Sequence, residues 1–302
     1  MIPELSPFYQ ALESPPRNGQ RPVIGYPCSY APEEIIHAAG YHPMRLFSSK
    51  ADIQLAESHL QSYCCSLVRG ILEDGLSQKF QYLEGIVFPH TCDSIQRLSD
   101  IWRMNLKPLF FADVVMPVKL TSPASKAYME KVLEKLVDEL GAHRGKKISQ
   151  EELGASISLF NGIRSHLSTI YQIKSQAPTI LSDKDLFTVT RAAMTMERTR
   201  LKSCLERLVA ALEEHPSKPS AHSPKRILLS GSVCDMPELY PLIQEAGGTV
   251  VGDDLCSGQR GLMEKIPEDI SPIKALALGY TKRLVCPAKH QGIHARSKAH
   301  PF

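Results

Sequence analysis

The chain has 302 residues, of which 43% are hydrophobic and 22% are charged, and its formal net charge is +3. It is long and apolar enough for two α/β domains, or for one domain with a helical insert, which excludes wholesale disorder. The lysines and arginines are scattered and only slightly in excess, so the sequence predicts no nucleic-acid partner.

The sequence also argues against export and membrane insertion. It contains no apolar run long enough to span a bilayer. Residues 1–7 lack the basic flank and apolar core of a secretory signal, so we expect a cytoplasmic protein. Because the cytoplasm keeps thiols reduced, the eight cysteines are not expected to form a disulfide framework.

The first third of the chain alternates between predicted strands and helices. Residues 23–28 form a short strand that ends in a turn, and residues 32–40 have the proline, acidic first turn and final glycine of a helix. The following elements are a strand at 43–47, a helix at about 60–76 that carries Cys64 and Cys65, a strand at 85–89, a helix at 94–102 and a strand at 108–115. This alternation predicts a parallel sheet, and ligands of such sheets gather at the carboxyl ends of the strands.

The rest of the chain changes character twice. Residues 125–215 have the apolar spacing of helices, residues 216–224 have a linker composition, and strands resume at 226–231 and 249–252 around a helix at 237–246. We therefore predict an α/β fold of two Rossmann-like parallel-sheet units with a helical region between them. The predicted boundaries are 1–122 for the first unit, 123–216 for the helical region, 217–224 for the linker and 225–302 for a second, incomplete unit.

Apart from the adjacent pair Cys64-Cys65, the cysteines are spaced far apart, and no Cys-x-x-Cys pair occurs, which argues against a zinc ribbon or a ferredoxin-like loop. Cys28 and Cys92 each follow a predicted strand, so a site assembled from several strand ends would show this long spacing. Soft thiolate ligands suit an iron–sulfur cluster. The alternative is that cysteines are small buried side chains, and Cys204, within a helical stretch, fits that description.

Five segments together resemble the 2-hydroxyacyl-CoA dehydratase family, which includes the benzoyl-CoA reductase subunits and the double-cubane cluster proteins. The resemblance runs from about Gly25 to His290 and follows the family's order of motifs. The segments are Tyr-Pro-Cys-Ser-Tyr-Ala-Pro-Glu-Glu at 26–34, Cys-Ser-Leu-Val-Arg at 65–69, His-Thr-Cys-Asp-Ser at 90–94, Gly-Asp-Asp-Leu-Cys-Ser-Gly at 252–258 and Cys-Pro-Ala-Lys-His at 286–290.

The resemblance implies a [4Fe-4S] cluster with Cys28 and Cys65 among its ligands. Cys64 could replace Cys65, or add a ligand if the chain holds a double cubane. Cys92 and Cys286 lie in cysteine motifs whose ligation differs between branches of the family. Cys256 is a weaker candidate, and Cys234 is weaker still.

Family members continue with a further strand, cysteine and helix, so the resemblance also implies a chain that is short at its C-terminus. If the third ligand normally comes from that piece, either Cys286 replaces it or the cluster is incomplete.

The chemistry implied by the resemblance is radical and oxygen-sensitive. An ATP-hydrolysing activator passes one low-potential electron through the cluster to an acyl-CoA thioester, giving a ketyl radical that expels a hydroxyl group. The chain would be one subunit of a dehydratase (a lyase) or an acyl-CoA reductase, paired with a second subunit. The alternatives are a homodimeric double-cubane electron-transfer or reductase protein without a CoA substrate, or a truncated, non-catalytic remnant.

Two polar residues beside Cys92 are candidates for acid–base chemistry. His90 and Asp93 could exchange protons or support the ligands through hydrogen bonds. The alternative for Asp93 is to cap a helix that begins at Ser94. No phosphate-binding glycine pattern surrounds Gly247 and Gly248, so ATP is expected to bind the activator instead of this chain.

Overall fold

The computed structural model describes residues 2–13, 21–49, 52–119, 122–214, 224–262 and 265–282. Within those ranges the chain is an α/β protein with six strands and eleven α-helices, which confirms the predicted class. In chain order the elements are α1, Ser6–Glu13; β1, Val23–Tyr26; α2, Glu33–Ala38; β2, His42–Arg45; α3, Ser66–Leu76; β3, Leu83–Pro89; α4, Asp93–Asn105; β4, Phe110–Val114; α5, Pro123–Arg144; α6, Gln150–Gln176; α7, Asp183–Ala193; α8, Arg198–Glu214; β5, Lys225–Ser230; α9, Leu239–Glu245; β6, Gly248–Asp254; α10, Gln259–Leu262; and α11, Pro272–Lys282.

Two compact units divide the chain, and each draws on two separate stretches of sequence. The sheet A unit comprises Asn18–Ile157 and Ile266–Phe302, and it holds β1 to β4 with α2 to α5 and α11. The sheet B unit comprises Met1–Arg17 and Ser158–Lys265, and it holds β5 and β6 with α1 and α7 to α10. The helix α6 contributes residues to both units.

Sheet A has four parallel strands in the order β2-β1-β3-β4. Ile24 of β1 pairs with Pro43 of β2 on one side and with Gly85 of β3 on the other. The chain therefore turns to one side after β1 and to the opposite side after β3. In open parallel sheets this reversal of strand order leaves a crevice at the carboxyl ends of the two central strands, where ligands bind.

Apolar residues cover both faces of sheet A, as a buried parallel sheet requires. On one face, Val87 of β3 and Ile24 of β1 belong to an apolar cluster with residues of α2, α5 and α11. On the other face, Ile86 and Phe88 belong to a cluster with residues of α3 and α4, which we call the α3–α4 cluster. Because side chains alternate along a strand, consecutive residues of β3 serve opposite faces.

A glycine lets α3 pack closely against the segment that follows β2. A Cβ atom at Gly70 would lie 2.1 Å from the Ser48 Oγ and 2.4 Å from the Ser48 Cβ. Those distances are far shorter than a normal contact, so only glycine fits there without a shift. The position of α3 therefore depends on the missing side chain of Gly70.

The sheet B unit is built around the parallel pair β5-β6 and a helical apolar cluster with residues of α1, α6, α7 and α8. A buried lysine joins its elements: Lys174 donates from Nζ to the Asp183 Oδ1 at 2.7 Å, the Thr249 Oγ1 at 3.1 Å and the Leu181 carbonyl at 2.7 Å. Burial lowers the pKa of Lys174, although the Asp183 carboxylate opposes that effect. The ammonium group is thus held by several acceptors, which suits a structural role.

Several predicted boundaries differ from the structure. The predicted helix at 60–76 begins only at Ser66, because the backbone of Cys65 is extended (φ −60°, ψ 148°) and occupies the N-cap. Cys64 and Cys65 therefore precede the helix instead of lying within it. Likewise, α4 begins at Asp93 with Cys92 as its extended N-cap, so Asp93 is not the cap. No helix in the described ranges is both long and apolar enough to cross a membrane.

Substituting Gly70→Ala should lower the free energy of unfolding by about 1–3 kcal/mol, because the new methyl group overlaps Ser48. The matched control is Gly154→Ala in α6, where a Cβ would have nothing within 4 Å. Because alanine favours the helix, this substitution should raise the free energy of unfolding by up to about 1 kcal/mol. Chemical denaturation measures both. Ser48→Gly should partly rescue Gly70→Ala, and equal effects at the two glycines would contradict the packing argument.

Candidate functional site

Two cysteine-bearing loops meet at the reversal of strand order in sheet A. Cys28 follows β1, and the segment His90-Thr91-Cys92 follows β3 directly. Since β1 and β3 are neighbouring parallel strands, both loops leave the same edge of the sheet. Cys28 also packs against both apolar clusters that cover the faces of sheet A. The cysteine therefore lies at the crevice where this class of sheet binds ligands.

The two loops are joined by a hydrogen bond to sulfur. The Cys28 Sγ lies 3.3 Å from the Thr91 Oγ1, and either atom could donate. The Thr91 residue is only 3% exposed, and its hydroxyl also lies 3.5 Å from the Pro89 carbonyl oxygen. A buried hydroxyl needs a hydrogen-bond partner, and here the sulfur supplies the shorter of these two contacts.

The α3–α4 cluster brings a further thiol to the same region of the unit. Cys64 is a buried member of this cluster, and Cys28 and Cys92 pack against it. Cys65 is exposed at the N-cap of α3, and Cys92 is half-buried at the N-cap of α4. Neither N-cap sulfur makes a capping hydrogen bond. Both sulfurs therefore lie at helix N-termini without being used as caps.

A buried tyrosine of α11 holds the loop that carries Cys28. The Tyr280 hydroxyl contacts the Ala31 carbonyl oxygen and the Glu34 Oε2, each at 2.8 Å, and all three residues are buried. The Ala31 N–H donates in turn to the Cys28 carbonyl at 3.0 Å. The sequence motifs did not identify Tyr280, because its partners lie 246 and 249 residues away in the chain.

His90, one of the two predicted acid–base candidates, lies in a hydrogen-bonded group. Its Nε2 is 2.8 Å from the Asp113 Oδ1, which also accepts from the Ser99 hydroxyl at 2.5 Å. Its backbone N–H donates to the Val114 carbonyl at 2.9 Å. The other candidate, Asp93, is exposed in the first turn of α4, where the helix dipole favours a carboxylate. Asp113 could not be identified from the sequence, because its only local signal is an acidic residue within an apolar strand.

Two of the weaker cysteine candidates lie in the sheet B unit. Cys234 follows β5 and Cys256 follows β6, and both are half-buried. The Arg260 guanidinium donates to the Cys256 Sγ at 3.3 Å and to the Asp254 Oδ1 at 2.7 Å. Burial opposes the charge of Arg260, but the Asp254 carboxylate and the Cys256 sulfur raise its pKa overall. The Cys256 sulfur is therefore already in contact with a cation of the following helix, α10.

Of the two remaining cysteines, Cys204 and Cys286, the structure describes only Cys204. Cys204 is 3% exposed within α8, as expected for a structural residue. Cys286 lies outside the described residues.

The donors at the edge of sheet A fit a thiolate-held cluster by their chemistry. They are sulfurs without a disulfide partner, and Cys28, Cys64 and Cys92 share an apolar surrounding. In the described part of the chain no three His, Cys, Asp or Glu side chains are close enough to hold one metal ion. A cluster differs from a single ion because each thiolate binds a different iron, so its ligands lie farther apart.

Removing the Tyr280 hydroxyl should loosen the Cys28 loop. We expect Tyr280→Phe to lower the free energy of unfolding by about 1–3 kcal/mol, since the buried Glu34 carboxylate and Ala31 carbonyl lose the one hydroxyl proton that lies within reach of both. Amide hydrogen exchange should show faster exchange of the Ala31 N–H. Tyr63→Phe, at a side chain that is 84% exposed, is the control. Unchanged protection of Ala31 would contradict the role assigned to Tyr280.

Comparison with known proteins shows that the chain is similar to enzyme subunits whose names refer to acyl-CoA substrates. The family described as "2-hydroxyglutaryl-CoA dehydratase, D-component" matches residues 28–299. A subunit of the benzoyl-CoA reductase of Thauera aromatica is 27% identical over 264 residues, covering 86% of this chain and 68% of that protein. The (R)-phenyllactyl-CoA dehydratase beta subunit of Clostridium sporogenes is 24% identical over 280 residues, covering 91% and 74%. Because the family match spans most of its length, the chain belongs to the 2-hydroxyglutaryl-CoA dehydratase D-component family.

Proposed function

We propose that the chain is the iron–sulfur subunit of a 2-hydroxyacyl-CoA dehydratase or of a benzoyl-CoA-reductase-like enzyme. It would pass single low-potential electrons to an acyl-CoA thioester. The observation that carries this proposal is the pair of thiol-bearing loops at the reversal of strand order, joined by the contact from the Cys28 Sγ to the Thr91 Oγ1. The named relatives, a reductase subunit and dehydratase beta subunits, supply the class of reaction.

Cys28 and Cys65 are the proposed principal ligands of a [4Fe-4S] cluster. Cys28 lies in the crevice of sheet A, and Cys65 presents an exposed sulfur at the N-terminus of α3. Cys92, at the N-terminus of α4, is the next candidate within the described residues. Cys286 stays a candidate from its motif alone. When bound, the cluster would supply one-electron transfer and an open iron as a Lewis acid.

The residues around these thiols would support that chemistry in different ways. The apolar side chains of the α3–α4 cluster limit access of water to Cys28 and Cys92. The Asp113 carboxylate, which contacts Nε2, fixes the orientation of the His90 ring, and the ring could then take up or release a proton. The Tyr280 hydroxyl fixes the Cys28 loop through its hydrogen bond to the Ala31 carbonyl. Each of these contacts lies within the sheet A unit.

A second subunit and an activator would complete the enzyme. The relatives are subunits by name, so we infer that this chain acts with a second subunit. The resemblance to the dehydratase family implies that an ATP-hydrolysing activator supplies the electron, and the lack of a phosphate-binding glycine pattern in this sequence is consistent with ATP binding that partner.

The adjacent pair Cys64-Cys65 supports a second candidate function. In that case the chain would be a double-cubane electron-transfer or reductase protein with no CoA substrate. The structure gives the two thiols different environments, since Cys64 is 6% exposed and Cys65 is exposed. If both ligate iron, the segment before α3 must supply one sulfur from a buried position and one from an exposed position. A non-catalytic remnant, the third candidate, would hold no cluster.

Iron and acid-labile sulfide in protein purified without oxygen test the proposal. We expect about four of each per chain. Cys28→Ala and Cys65→Ala should each lower the content by at least half, since each removes a thiolate ligand. The matched control is Cys234→Ala, because that half-buried cysteine also follows a strand.

The other outcomes separate the alternatives. About eight irons per chain would favour the double-cubane protein. No iron after reconstitution, with correctly folded protein, would contradict the iron–sulfur assignment and favour the remnant. An equal loss of iron in the Cys234→Ala control, together with an equal fall in the free energy of unfolding, would show that the cysteines act through folding instead of ligation.

A further inference from the structure

Thr91 places a buried hydroxyl beside the sulfur of a proposed ligand. Its Oγ1 lies 3.3 Å from the Cys28 Sγ, while its second contact, to the Pro89 carbonyl, is at 3.5 Å. A valine side chain has nearly the same shape and would suit the surrounding apolar residues. Burying a hydroxyl at a site that is 3% exposed costs free energy unless the hydroxyl makes a hydrogen bond, and the contact with the Cys28 sulfur offsets that cost.

The backbone around Thr91 is held from several directions. The Thr91 N–H donates to the Pro89 carbonyl at 2.8 Å, and the His90 N–H donates to the Val114 carbonyl of β4 at 2.9 Å. The His90 ring is also held by Asp113. The Thr91 Oγ1 is therefore held beside the Cys28 sulfur before any ligand binds. Its one proton, which donates to the Pro89 carbonyl at 3.5 Å, needs only a rotation of the hydroxyl to reach the sulfur instead.

The direction of this hydrogen bond changes when Cys28 binds a metal. In the thiol form either atom can donate, because both the hydroxyl and the thiol carry a proton. A metal-bound thiolate has no proton and can only accept, so Thr91 must then be the donor. Hydrogen bonds to ligand sulfurs draw charge from a cluster and favour its more negative, reduced form.

We propose that Thr91 is a positioning residue that donates a hydrogen bond to the Cys28 thiolate and raises the reduction potential of the bound cluster. This inference rests on the proposed function, since it requires a cluster held by Cys28. Thr91 would then set the driving force of electron transfer without itself binding iron.

The test compares Thr91→Val, which removes the hydroxyl at nearly constant shape, with Thr91→Ser, which keeps it. Thr188→Val is the matched control, since Thr188 is also 3% exposed but its hydroxyl donates to a helix carbonyl in the sheet B unit. The measurement is a redox titration of each anaerobically reconstituted protein, in which electron paramagnetic resonance reports the fraction of reduced cluster at each potential.

For Thr91→Val we expect the ratio of reduced to oxidised cluster at a fixed potential to fall by up to about tenfold. For a one-electron couple that corresponds to a potential about 59 mV more negative. Thr91→Ser and Thr188→Val should keep the potential of the parent protein. If Thr91→Val does not fold, Thr91→Ala gives the same comparison.

The outcomes distinguish this inference from the proposed function. A parent protein that holds no cluster would overturn both. A cluster with the same potential in the parent, Thr91→Val and Thr91→Ser proteins would overturn the role of Thr91 and leave the proposed function standing. A potential that changes as much in Thr91→Ser as in Thr91→Val would also overturn it, because the hydroxyl is then not the cause.

Discussion

The strand order β2-β1-β3-β4 is the constraint on which the site depends. Because the chain leaves β1 and β3 towards opposite sides, a sheet of this order has a crevice at the carboxyl ends of these neighbouring strands. Cys28 and the segment His90-Thr91-Cys92 both emerge there, close enough for the Cys28 Sγ to contact the Thr91 Oγ1. A different order of the same strands would separate the two loops and remove the candidate site.

The thiols of the sheet A unit differ in how far they are exposed to partners. Cys64 belongs to the apolar cluster on one face of sheet A, whereas the adjacent Cys65 is exposed at a helix N-terminus. An exposed thiol can be reached by a cluster, a second subunit or an electron donor. In the sheet B unit, by contrast, the Cys256 sulfur is already in contact with Arg260. Ligation is therefore easier to assign to the sheet A thiols than to Cys256.

The sequence predicted the parallel sheet and the strand-end positions of Cys28 and Cys92, because apolar runs, turn residues and helix punctuation are local signals. It did not identify Asp113 or Tyr280, because what matters about them is a contact with residues distant in the chain. It also placed Cys64 and Cys65 within a helix. An apolar pattern does not show which residue will have the extended backbone of an N-cap, and here that residue is Cys65.

The most direct test is the alkylation of each cysteine in protein purified without oxygen, before and after the cluster is removed by a chelator. Mass spectrometry measures the extent of reaction at every site. We expect that Cys65, although exposed, and Cys28 react slowly until the cluster is removed, while the half-buried Cys234 reacts equally in both states. Rapid alkylation of Cys28 and Cys65 in the iron-containing protein would contradict the assignment of this edge of sheet A as the cluster site.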